Sequence, residues 1–154
     1  MERKVEESFV YSGLGFPINL EKVEMVKLDG EWHPKIDVRR ISDKAIKELV
    51  SRNERLTGNQ VRFIRSYFSM SLRDFAKKVV NESHTAVAKW ESSQDKITAM
   101  DINIEMILRL YVIEQLESKT VKQRNKFYEK YLQLKKLCSA SRKSSQLRIG
   151  PLAA

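Results

Sequence analysis

The sequence predicts a mainly α protein with a small β-rich N-terminal module, in which a five-helix bundle is followed by a basic C-terminal helix. Three observations predict it. Strand formers crowd residues 9–36, apolar spacing turns helical from Leu56 to Leu116, and excess positive charge collects after Ser118. A chain of 154 residues, 42% hydrophobic and 32% charged, has enough apolar surface for a core, which excludes wholesale disorder.

In the first module, Phe9, Val10, Tyr11, Ile18, Leu20, Val23, Met25, Val26 and Leu28 alternate with Gly13, Gly15, Pro17, Asp29-Gly30 and Pro34. Asp-Gly between extended runs signals a hairpin, because both central residues of a type I′ turn need positive φ. A β-meander ending near Trp32 follows. Ser42 or Asp43 then caps a short helix through Val50, and the polar run Ser51 to Arg55 reads as a linker, closing a module of residues 1–52.

Residues 53–117 carry the helical stripes Val61/Ile64/Phe68, Leu72/Phe75/Ala76/Val79, Val87/Trp90 and Ile104/Ile107/Leu108/Tyr111/Leu116. The last of these, taken as the fifth helix, is apolar on more than one face through Met106, Leu110 and Ile113, which predicts contact with another subunit. Residues 118–138 form a basic amphipathic helix with Phe127, Tyr131, Leu134 and Cys138 at helical spacing. Residues 139–154, Ser-rich and basic, read as a disordered tail.

Charge counted by segment sharpens the functional reading: residues 1–50 hold 9 basic and 10 acidic groups, 51–117 hold 10 and 9, and 118–154 hold 10 and 1. The net +9 of the chain therefore lies in its last segment. Such density suits a polyanion such as nucleic acid, or else a solvated helix and tail that only maintain solubility. The single cysteine, Cys138, forbids an intramolecular disulfide and points to the cytoplasm. No apolar run reaches membrane-spanning length, and the acidic opening Met1 to Glu7 is unlike a signal peptide. No membrane partner is expected.

The run Ser71-Leu72-Arg73-Asp74-Phe75-Ala76-Lys77-Lys78-Val79, followed by Ser83-His84-Thr85-Ala86-Val87-Ala88-Lys89-Trp90-Glu91, resembles the helix-turn-helix of Cro/XRE-type DNA-binding proteins. Ser71 and Ser83 suit N-caps of successive helices, and Phe75, Val87 and Trp90 suit the packing between them. On the second helix His84, Thr85, Ala88 and Lys89 share the face opposite Val87 and Trp90, which makes them the candidate base readers. The resemblance implies phosphate contacts at Ser71, Arg73 and Ser83, and a structural ion pair between Arg65 and Glu91. Two departures stand out. The turn Val80-Asn81-Glu82 is one residue longer than the common pattern and lacks its glycine, so Asn81 is expected in the left-handed region. Leu72 stands where relatives often carry a phosphate-binding polar group.

Residues Gly15 to Leu20 and Val23 to Glu31 resemble the N-terminal module of MqsA-type antitoxins, whose strand leads to a Cys-x-x-Cys-Gly-Glu knuckle. Here Val26 and Asp29 occupy the cysteine positions, so no metal is expected, nor any cofactor. His33 and His84 are too far apart in sequence to suggest a shared ligand set. The resemblance implies that residues 1–50 bind a toxin protein; the alternative is that they brace the DNA-binding domain or extend a dimer interface. Trp32 and Phe16 fit either the module's core or a partner's hot spot.

Together these readings give the expectation of a homodimeric, sequence-specific regulator of double-stranded DNA, an autorepressor with the antitoxin role as an extension. The competing expectation is a protein-interaction adaptor that keeps the helix-turn-helix but no longer binds DNA specifically. An enzyme is disfavoured, since no phosphate loop, metal cluster or nucleophile motif is present.

Overall fold

The computed structural model describes residues 1–117 and 121–152, and within 121–128 it describes the backbone alone. Ser118, at an expected domain boundary, and the side chain of Phe127, on the expected apolar stripe, lie outside the described residues. Contacts divide the chain into two units, Met1–Ala45 with Gln146–Ala154, and Ile46–Ser145.

The first unit is a mixed four-stranded sheet built around one long central strand. β1 (Arg3–Tyr11) pairs antiparallel with β2 (Ile18–Leu28), and β3 (Glu31–Pro34) pairs antiparallel with the far end of β2. The turn between β2 and β3 is Asp29-Gly30, with φ of +51° and +84°, the pair of positive values a type I′ hairpin needs. β4 (Leu147–Ile149) then pairs parallel with Ile18 to Leu20 of β2. Along β2 the buried residues are Ile18, Leu20, Val23 and Met25, so the alternation slips by one at Lys22, whose φ of +52° replaces an extended step. Phe16, Leu147, Ile149 and Ile41 fill the core beneath, which assigns Phe16 to the interior. Trp32 is half-buried, with the ammonium of Lys4 4.8 Å and that of Lys27 5.8 Å from its ring centroid.

Helix α1 (Val38–Ser51) contains the division between the units. The second unit continues with α2 (Gly58–Tyr67), α3 (Leu72–Phe75) extended by a π-helical segment (Ala76–Val80), α4 (His84–Glu91), α5 (Ile102–Leu116) and α6 (Val121–Ala140). Thr57 and Gln60 close a capping box at the start of α2. Gly58 follows because a Cβ there would lie 2.6 Å from the Trp90 carbonyl oxygen, so only glycine lets α2 begin against the end of α4. Among the described residues no helix is long and apolar enough to cross a membrane.

Several expectations need correction. The fold class is not a β-module followed by a five-helix bundle: the described residues hold six helices and a mixed sheet that draws on both ends of the chain. Between α4 and α5 no helix forms. Residues 92–101 instead run back along the start of α2, where Ile97 bridges Thr57 and the Thr98 amide donates to the Leu56 carbonyl at 3.2 Å. The region 53–117 thus holds four helices, the third completed by its π segment.

The tail at 139–154 is not wholly disordered, because Leu147 and Ile149 bury on the open edge of β2 that Ile18 to Leu20 offer. The domain divisions at 52, 117 and 138 likewise give way to a first unit that takes back the chain's end. β1 begins at Arg3 rather than Phe9. Helix α1 starts four residues before Ser42, its entry held by the Asp37 carboxylate, which accepts from the Arg40 amide at 3.2 Å.

The breadth of apolar surface on α5, expected to meet another subunit, is partly accounted for within the chain. Met106, Leu108, Val112 and Ile113 are buried, and α6 packs on α5 with Leu134 and Cys138 inward. Burial pushes the Cys138 thiol above its usual range, as suits a packing residue.

Candidate nucleic-acid interface

Ser71 opens α3 and Ser83 opens α4, each through a side-chain oxygen that accepts a backbone N–H three residues on, from Asp74 and Ala86, both at 3.1 Å. Both hydroxyls remain exposed and retain their O–H donors. Between the helices Asn81 sits at φ +52° and ψ +49°, the left-handed conformation expected for it, and the Glu82 amide returns to the Ala76 carbonyl at 2.9 Å. The extra residue of the turn has a local correlate. The last turn of the preceding helix is π rather than α, a wider winding that takes up one additional residue.

Packing divides α4 into two faces. Val87, Trp90 and Glu91 are buried, whereas His84, Thr85, Ala88 and Lys89 are all exposed and one helical turn apart in pairs. Phe75 and Ala76, at 0% and 2% exposure, form the contact beneath. The structure therefore brings the four candidate base readers onto one free ridge. Arg73 is exposed on α3, together with Ser71.

The anchor of α4 is ionic. Glu91 accepts from Arg65 through both oxygens, Nε at 2.9 Å and an Nη at 2.8 Å, and also from Arg62 Nε at 3.1 Å. The carboxylate is 3% exposed and the Arg65 side chain 19%, so the pair is largely desolvated. A further Arg65 N–H donates to the Met70 carbonyl at 3.0 Å, which ties the end of α2 to the approach to α3. These bonds to Glu91 hold the Arg65 guanidinium above its ordinary pKa.

Sequence reasoning missed some members of this surface. Lys77 and Lys78 stand exposed on the π segment and extend the cationic side of Arg73; their position one turn beyond it was the available signal. Arg62 was signalled by its three-residue spacing from Arg65. Asp74 on α3 and Glu82 in the turn before α4 are exposed and oppose a polyanion. Leu72, at the departure from the relatives' pattern, is half-buried. In the other unit, Val26 lies half-buried in β2, with Asp29 in its turn and His33 exposed on β3. Among the described residues no group of three or more His, Cys, Asp or Glu side chains is placed to hold a metal ion.

Comparison with protein-family models, with curated proteins and with solved structures finds no match.

Proposed function

We propose that this chain is a sequence-specific DNA-binding transcriptional regulator that presents α4 to the major groove and acts as a dimer on a palindromic site. The observation that carries the reading is the exposed ridge of His84, Thr85, Ala88 and Lys89 on a helix whose opposite face is locked by Val87, Trp90 and Glu91. Imidazole, hydroxyl and ammonium groups supply hydrogen bonds for base edges, and the Ala88 methyl suits a thymine. Ser71, Ser83 and Arg73 supply phosphate contacts from the two helix openings. Two such helices about a two-fold axis would read half-sites about 34 Å apart.

The test is a mobility shift on the DNA upstream of the chain's own reading frame, with salt varied. Changing His84 or Lys89 to alanine is expected to weaken the preferred site by about 1–3 kcal/mol and random DNA little. Equal loss on both sequences would defeat the proposal. The sequence resemblance to MqsA-type antitoxins extends it to a toxin partner held by residues 1–50, testable by co-purification with the product of the neighbouring gene. The adaptor reading keeps a specific foothold in Leu72, half-buried where a phosphate binder is usual, and in the exposed carboxylate of Glu82. Absence of any DNA shift at low salt would favour it.

A further inference from the structure

β1 is the outer strand of its sheet: it pairs with β2 on one side and, among the described residues, with nothing on the other. It is nine residues long and without proline, its pairing interrupted only at Glu7, and Val5 and Val10 lie 59% and 55% exposed on it. Such an edge invites another strand unless its side chains forbid pairing. Here they select a partner.

The direction of the backbone groups fixes which residues face outward. The Glu2 carbonyl accepts from the Lys27 amide of β2 at 3.1 Å, so in the first half of β1 the even-numbered residues, as far as Glu6, direct their N–H and C=O inward to β2. Arg3 and Val5 direct theirs to the open side, and this parity holds up to Glu7, where the pairing with Lys22 is interrupted and the faces exchange. An antiparallel copy that pairs through this first half must therefore set odd residues opposite odd residues. Only a few registers satisfy this condition.

We propose that the occupant is a second copy of this chain, with the two β1 strands antiparallel about Val5. In that register Arg3 faces Glu7 of the other copy, Lys4 faces Glu6, and Val5 faces Val5 on the two-fold axis. Each cation meets a carboxylate directly across the strands, on both faces of the sheet. The neighbouring registers fail this condition. Centring the pair on Lys4, Glu6 or Glu7 sets that residue against its own copy, like charge on like, and centring it on Ser8 forms no ion pair. Arg3 lies 3.1 Å from Glu24 and Lys4 2.6 Å from Glu6 within the chain, yet Glu7 has no ionic partner among the described residues. The two sheets would join edge to edge as one. This inference rests on the sheet alone, not on DNA binding, and would supply a two-fold axis for the dimer proposed above.

Sedimentation of the intact protein tests it, with circular dichroism to verify folding. Wild type is expected to dimerise at micromolar concentration. Glu7→Lys sets two cations opposite each other at two symmetric places and should weaken dimerisation by about tenfold or more. Val5→Pro removes an outward N–H while sparing the bonds to β2, and should have a comparable effect. An equimolar mixture of Arg3→Glu and Glu7→Lys chains should recover the dimer, because in the mixed pair every cation again faces a carboxylate. A monomeric wild type overturns the proposal, as does Glu7→Lys dimerising as tightly as wild type. Should Val5→Pro fail to fold, Glu7→Lys and the mixture decide.

Discussion

Two buried carboxylates in the second unit use the same chemistry for different ends. Glu105, 0% exposed on α5, accepts from Arg55 Nε at 3.1 Å, from the Leu56 amide at 3.1 Å and from Arg109 at 3.2 Å. Arg109 in turn donates to the carbonyls of Val50, Arg52 and Glu54, so the supposed linker at 51–55 is gathered onto α5 by a closed polar cluster. Glu91 is nearly as buried, but its partners Arg65 and Arg62 are 19% and 59% exposed, and the helix it anchors presents the candidate reading face. The contrast separates holding the bundle together from aiming one helix. A buried ion pair is weak evidence for net stability, yet removal of one partner strands the other charge, so both clusters are exposed to mutation.

Experiments can sharpen that contrast in descending order of effect. Arg109→Met leaves Glu105 without its most buried cation and three backbone carbonyls without their donor; a loss of about 3–5 kcal/mol in denaturant unfolding is expected. A change under 1 kcal/mol would mean that water or rearrangement satisfies the carboxylate. Glu91→Gln keeps the shape but unpairs Arg65, which solvent partly reaches, so the loss should be nearer about 3 kcal/mol and should carry weaker DNA binding with it. If stability falls and the DNA shift is unaffected, Glu91 serves the bundle alone.

His84→Ala and Lys89→Ala invert the pattern, with binding down by about 1–3 kcal/mol and the unfolding midpoint unmoved, since neither side chain is buried. Arg62→Ala, at a half-exposed partner of Glu91, should cost only about 0.2–1 kcal/mol and so measures how much of the anchor is Arg65 alone.

The smallest expected effect concerns pH. Burial alone would raise the Glu54 carboxyl, but the Ser145 hydroxyl and amide, Arg52 and Lys143 outweigh it and hold the group below its ordinary 4.5. The folded pKa being the lower one, this contribution is complete at neutral pH and is lost as pH falls below 4.5 through the folded value. Ser145→Ala should flatten that acid limb of the stability profile by lowering stability slightly at neutral pH and leaving it nearly unchanged at the acid end, as read from denaturant unfolding across pH.

The tail also bears on how DNA binding should be probed. Deleting everything beyond Ser139, the change the charge count first suggests, would remove β4 and the Ser145 contact as well as cations. Lys135→Gln with Lys136→Gln, both exposed on α6, tests the phosphate contribution without that damage, through a shallower salt slope.

Local signals in the sequence determined the caps at Ser71 and Ser83, the Asp29-Gly30 turn, the left-handed Asn81 and the division of α4 into an apolar and a polar face. Each depends on a residue's own conformational preference or on helical spacing, so neighbours in the chain suffice. Tertiary structure alone decided the rest. β1 has a polar first half that shows no alternation, and it is a strand because β2 lies beside it. Three residues at Leu147–Ile149 are ordered by the free edge of that same strand. Glu105 and Arg109, one helical turn apart, form a buried cluster only because Arg55 and the carbonyls at 50–54, brought from more than forty residues away, enclose them. Pairing and charge burial between distant segments leave no periodic trace, because their stabilisation comes from partners that a local pattern does not contain.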